Sequence, residues 1–261
     1  MSTTMSRRRM MGASALTMVG TVGAVLTAEA LTGIAPHRGL SPTDRVAPRP
    51  QDSTVACRTE VFWRAHPAER LVSLTFDDGP DPRWTPQVLD ALAAHDARAT
   101  FFQMGDAVVE HPEITRDVHD AGHEIASHGA RHLDLSTMSV DAIRENLGST
   151  HDAIAETTGT APTLVRPPWG RIDAPGLLVA SELGYDVALW SHHLPTDNAE
   201  RVVDTDVATA SPGMVVLCHD GRGTPADSLY VAVRRLLAEL TDEGYTFVSV
   251  SELRSAQQVA A

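Results

Sequence analysis

Residues 70–80 read RLVSLTFDDGP: an apolar run that stops at two adjacent aspartates, Asp77 and Asp78, followed by a Gly-Pro pair. The run is short and rich in aliphatic, β-branched and aromatic side chains, which reads as a buried strand, and Gly79-Pro80 marks the turn that ends it. Two neighbouring carboxylates repel each other and are costly to bury, so they are either solvated turn residues or held by a cation. Side chains alternate across a strand, so adjacent aspartates point apart unless the backbone bends. With a bend here, one carboxylate can bind a cation while the other accepts a proton from water on that cation.

Outward from this stretch, strand-like and helix-like patterns alternate. TPQVLDALAAH (85–95) predicts a helix with Thr85 as its cap and Pro86 in its first turn, and ATFFQM (99–104) a strand. HPEITRDVHDAG reads as helix, HEIAS as strand, and SVDAIRENLGSTHDAIAETTG as a long amphipathic helix ended by Gly159. TLVRP, DVALW, MVVLCH and TFVSV read as strands, with helices over APGLLVASELG and PADSLYVAVRRLLAELTDEG. About seven strands alternating with helices predict an α/β fold, a parallel sheet wrapped by helices, of which a barrel is one closed form. In such barrels chemistry collects at the C-terminal ends of the strands. Asp77, Asp78, His128, Arg166 and His219 all fall at such ends.

The ends of the chain carry different signals. Three arginines, Arg7 to Arg9, precede an uncharged run that closes on the small-x-small triplet Ala28-Glu29-Ala30, so residues 1–30 read as an export signal of twin-arginine type, with a membrane anchor as the alternative. Residues 31–55 are Pro-rich and read as a linker, residues 56–253 as one catalytic domain, and 254–261 as a tail. Without the first 30 residues, 18 basic and 33 acidic residues remain, a formal charge of −15, which argues against nucleic acid or an anionic membrane as a partner. Cys57 and Cys218 are too few for a disulfide framework, and whether they pair is open. On strand MVVLCH, Cys218 lies on the face opposite His219.

In SHGARHLDL, His128 and His132 are four apart, so in a helical turn both imidazoles share one face. With a carboxylate from another strand end they form a two-histidine, one-carboxylate set, suited to a catalytic zinc with an open position or to a related divalent metal. His111 and His123 read as structural.

TFDDGP, SHGARH, RPPWG and LCHDG, in this order and spacing, resemble the motifs of the polysaccharide deacetylases of carbohydrate esterase family 4 over residues 60 to 253. The resemblance implies a distorted, partly open (β/α) barrel and metal-dependent removal of acetyl groups from a sugar polymer. It implies Asp78, His128 and His132 as ligands of a divalent metal (zinc, with cobalt or nickel as alternatives) and Asp77 as the general base, oriented by Arg166 through a charge-assisted hydrogen bond. His219 would be the general acid. Pro168 and Trp169 would lie on the substrate side, with the Trp169 backbone N–H facing the developing oxyanion.

One segment departs from the family pattern. Where the family has an aspartate that tunes the acid histidine, LWSHHLPTDNAE places His193, with Asp197 as an alternative partner. The expected protein is a secreted or cell-wall-associated monomer, without a stable membrane span once its signal is removed. Its expected substrate is an acetylated polysaccharide such as peptidoglycan or chitin. A catalytically silent sugar-binding protein and an O-acetyl esterase acting on xylan stand as alternatives. A glycoside hydrolase is disfavoured, because its two carboxyls must flank a sugar bond about 5 to 9.5 Å apart.

Overall fold

The computed structural model describes residues 58–221 and 227–257. The expected signal, linker and Cys57 lie outside these residues. Among the described residues nine strands form one sheet: β1 (Val61–Phe62), β2 (Leu71–Asp77), β3 (Ala99–Gln103), β4 (Glu124–Ser127), β5 (Leu164–Val165), β6 (Asp186–Ala188), β7 (His192–His193), β8 (Val215–His219) and β9 (Thr246–Phe247). All pair in parallel, in the order β1-β6-β5-β4-β3-β2-β8-β7, with β9 alongside the start of β2. Among the described residues β1 and β7 do not pair with each other, so the barrel is partly open, as expected. The two strands beyond the expected seven are β1 and β7, each two residues long and too short to show a period.

Eight helices accompany the sheet among the described residues: α1 (Thr85–Ala93), α2 (Gly105–Glu110), α3 (Pro112–Asp120), α4 (Val140–Thr158), α5 (Ala174–Glu182), α6 (Ala199–Ala208), α7 (Asp227–Asp242) and α8 (Val250–Ser255). Gly159 ends α4 in the left-handed conformation, at φ 74°, as its position after the apolar pattern predicts. Two local expectations are corrected. Thr85 is the first residue of α1 rather than its cap; Trp84 occupies the cap position with no side-chain bond, and the Thr85 hydroxyl is used elsewhere. TFVSV is strand only at Thr246–Phe247, because Ser249 and Glu252 form a reciprocal capping box that starts α8 and draws Val250 into helix. Arg254 and Ser255, read from sequence as the start of a tail, are helical.

Period-2 alternation sorts the sheet into two faces. Phe76, Phe101 and Cys218 turn outward into a core shared with Leu92 of α1, Val203 of α6 and Leu236 of α7, with the two phenyl rings stacked at 5.1 Å. Burying a side chain of this size stabilises by about 1.5–3 kcal/mol. The other face buries Phe102, Ala126, Leu164, Ala188 and Val215 against Val250 and Leu253 of α8. Asp77 pairs in register with Phe102 on one side and His219 on the other, so the polar ends of β2 and β8 meet on this inner face.

Candidate active site

The strand ends converge as the sequence predicts. Asp77 closes β2, and the turn comes at Asp78 itself, whose φ of 76° is left-handed. That conformation costs a non-glycine residue about 1–3 kcal/mol. It also removes the alternation that would point the two carboxylates apart: Asp77 Oδ2 lies 3.8 Å and Asp78 Oδ1 3.5 Å from His128 Nε2. His132 Nε2 lies 3.7 Å from the same Asp78 oxygen.

His128 and His132 reach that oxygen from an irregular loop rather than the expected helical turn. Gly129, at φ 81°, reverses the chain after β4, and Asn146 of α4 fills the space behind it, its Oδ1 accepting the Ala130 N–H at 3.2 Å. His128 Nδ1–H donates to the Arg166 carbonyl at 2.7 Å, which fixes the tautomer and leaves the Nε2 lone pair directed at Asp78. Ligand atoms of Asp78, His128 and His132 all lie within 4.8 Å of one another. A tetrahedral ion with bonds of about 2.0–2.1 Å holds its ligands about 3.3 Å apart, near the 3.5 and 3.7 Å from Asp78 Oδ1 to the two imidazoles. One carboxylate and two neutral imidazoles therefore form a donor set that fits a divalent metal.

Arg166, wholly buried, ties the end of β2 to the end of β6. Its Nη1 donates to Asp77 Oδ1 at 2.7 Å and to Thr75 Oγ1 at 2.8 Å, while Nε and Nη2 donate to the carbonyls of Ala188 and Leu189. Phe102 lies under the guanidinium at 3.9 Å. Burial pulls the Arg166 pKa down and the Asp77 carboxylate pulls it back up. With Oδ1 committed to Arg166, Asp77 presents Oδ2 to His128, beside the Asp78–His128–His132 cluster. Thr75 was not singled out in the sequence. Its position two residues before Asp77, on the same strand face, is the signal that marks it.

Pro168–Gly170 form a single 3-10 turn with Trp169 at φ 55°, which leaves its indole 55% exposed and edge-on to His132, ring centroids 4.2 Å apart. Trp190 is instead half-buried against the inner core. A cavity of about 510 Å³ opens from Asp78 and His132 along Pro80, Asp81, Met104 and Asp106.

On the opposite side, His219 faces His193, with ring centroids 5.8 Å apart and planes at 68°. His193 is lowered below the usual imidazole value by burial and then by His219, with Asp77 opposing. Asp197 is exposed on the loop beyond β7. Cys218 is a fully buried thiol on the outer face, pushed up by burial, consistent with no part in this site. His123 is structural: its Nδ1 accepts the Ala99 N–H at 3.3 Å, and burial lowers it to about 4. Asp220, beside His219, is fully buried, and burial raises it to about 7.

Comparison with known proteins agrees with this geometry. Residues 64–188 match the polysaccharide deacetylase family model. The peptidoglycan-N-acetylglucosamine deacetylase of Bacillus cereus is 39% identical over 198 residues, covering 74% of this chain and 92% of that protein. The peptidoglycan-N-acetylmuramic acid deacetylase PdaC of Bacillus subtilis is 36% identical over 196 residues, of which this chain spans 40% of the length. A crystal structure of a peptidoglycan N-acetylglucosamine deacetylase in complex with 4-naphthalen-1-yl-N-oxidanyl-benzamide superposes with a TM-score of 0.71 and 27% identity, over 75% of this chain and 94% of that one. A structure from Bacillus anthracis described as a family pseudoenzyme superposes at 0.68 with 25% identity, over 78% and 72% of the two chains. The chain belongs to the polysaccharide deacetylase family, carbohydrate esterase family 4.

Proposed function

We propose that this protein removes acetyl groups from acetylated peptidoglycan, chiefly from N-acetylglucosamine residues, as a divalent-metal hydrolase acting outside the cell. The observation that carries this reading is the Asp78–His128–His132 donor set standing beside the Arg166-anchored carboxylate of Asp77. Asp78 Oδ1 and the two Nε2 atoms would hold the metal, with zinc the natural choice for two imidazoles and one carboxylate, and cobalt or nickel as substitutes. Bound there, the ion supplies Lewis acidity for the acetyl carbonyl and brings the pKa of water from about 15.7 towards 7.

The chain's own residues supply the rest. Asp77 Oδ2 takes the proton from the attacking water, while Arg166 holds the other oxygen and prevents the carboxylate from rotating away. The water oxygen bonds to the carbonyl carbon, the C–N bond breaks, and His219 gives its proton to the departing nitrogen, so that acetate and a free amine result. The Trp169 N–H faces the carbonyl oxygen as charge develops, and Pro168 and the exposed indole form a wall for the sugar. No helix among the described residues is long and apolar enough to cross a membrane, and residues 1–30 are proposed as the export signal.

A second reading, a sugar-binding protein without turnover, is favoured by one observation: His219 faces an imidazole where the family pattern has a carboxylate. Acetate release from peptidoglycan, N-acetylchitooligosaccharides and acetylxylan, measured before and after chelation and after zinc is restored, separates the readings. Chelator-sensitive release restored by zinc, strongest on peptidoglycan, is the expected result. Stoichiometric zinc with no release from any of the three selects the silent binder, and strongest release from acetylxylan selects the O-acetyl esterase.

A further inference from the structure

Asp78 must be held in place. Its left-handed backbone is unfavourable for an aspartate and persists only where the surroundings over-determine it. Contacts that do so include those from His219-Asp220-Gly221, which follow β8, and from one hydroxyl of α1. Asp220 N–H donates to the Asp77 carbonyl at 3.1 Å. The Asp220 carboxylate lies flat against Gly79, so that a methyl group on Gly79 would sit 2.5 Å from Oδ1 and 2.6 Å from Oδ2. Gly221 packs against the Asp78 carbonyl closely enough that any side chain there would strike it. Thr85 Oγ1 donates to Asp220 Oδ2 at 2.6 Å and accepts the Asp81 N–H at 2.8 Å. The turn from Asp77 to Asp81 is thus gripped by this segment at its start and middle and, through Thr85, at its end, while the Met104 N–H holds the Gly79 carbonyl from the β3 side at 2.8 Å.

We propose that Asp220 is a positioning residue for the metal site: with Thr85 it clamps the 77–81 turn so that Asp78 keeps the backbone conformation that delivers its carboxylate to His128 and His132. The inference rests on the metal reading above. Asp220 is fully buried among the carboxylates of a turn that already carries three, a placement with a desolvation and repulsion cost that an apolar side chain would avoid. The clamp gives that cost a role, because it converts a strained turn into one fixed ligand geometry. Thr85 is explained in the same way, since it caps no helix and instead ties α1 to both halves of the turn.

The test is zinc affinity, measured by competition with a chromophoric chelator, alongside urea unfolding of the same proteins. Asp220→Ala is expected to weaken zinc binding about 10–100-fold, the usual effect of losing a group that orients a ligand. Asp220→Asn, which still offers an oxygen to Thr85 and the same flat shape to Gly79, is expected to stay near the wild-type affinity. Thr85→Val keeps the shape, removes the hydroxyl, and is expected to weaken zinc binding by a smaller factor. If Asp220→Ala does not fold, Thr85→Val carries the test from the other side of the same bond. Variants that lose stability yet bind zinc as the wild type does overturn the inference, because a purely structural residue behaves in that way. A wild-type protein that takes up no zinc overturns the metal reading itself, a distinguishable result.

Discussion

The two walls of the site are built to different standards. On the metal wall three of the four groups are visibly held from outside the cluster: His128 through its Nδ1–H to the Arg166 carbonyl, Asp77 through Arg166, and Asp78 through the left-handed turn that carries it. On the acid wall, His219 Nδ1 is buried with no hydrogen-bond partner among the described residues, and its aromatic neighbour His193 sits on a two-residue strand at the open edge of the barrel. A metal site tolerates little displacement of its ligands, whereas a proton donor needs only reach and an acceptable pKa. The difference suggests that the first wall defines what the protein is and the second adjusts what it does.

The metal wall is tested most severely by separating its two aspartates. Asp78→Ala is expected to lose zinc and to fall to background turnover, whereas Asp77→Asn is expected to keep stoichiometric zinc and lose about 10²–10⁴-fold in kcat. Zinc content by elemental analysis beside acetate release distinguishes them. Undiminished turnover in Asp77→Asn would remove it as the base. Arg166→Met should come next in size, since it leaves the Asp77 carboxylate buried without its partner, a loss of about 3–5 kcal/mol that urea unfolding would register.

These residues were legible in the sequence because each sits where a strand pattern stops, and because the two-histidine spacing and the paired aspartates are rare in combination. What the sequence hid is the means by which they are held. His128 and His132 are four apart, which suggests a helix, yet the loop between them works through a left-handed Gly129 that periodicity cannot register. Thr85 stands just before a proline at a helix start and reads as a cap, but its hydroxyl is captured by Asp220, 135 residues away. The strands β1 and β7 exist only because neighbours pair with them; two residues carry no period of their own. Long-range capture of short segments leaves no local pattern in a sequence, and several of the bonds that hold this site in place are such captures.

On the acid wall the expected effects are smaller and depend on substrate. His219→Ala should slow amide hydrolysis more than hydrolysis of an activated aryl acetate, whose leaving group departs without a proton. Equal losses on both would remove His219 as the acid and weaken the contrast between the walls.

The smallest effect, and the one that sharpens the comparison most, concerns His193. Burial and the neighbouring His219 hold it below its ordinary value, so at acidic pH the unfolded chain binds a proton there that the folded chain resists. Unfolding then takes up protons, and this contribution to stability is present above about pH 6.5 and is lost as pH falls below it. Urea midpoints across pH 5 to 8 should therefore decline on the acid side, and His193→Gln should flatten that decline. His193→Asp places a carboxylate against His219, where it stabilises the protonated ring. The alkaline limb of the kcat/KM profile is then expected to move to higher pH, with zinc content unchanged. A profile that does not move would mean that His193 is packing alone and that the acid wall is set by groups other than its nearest ring.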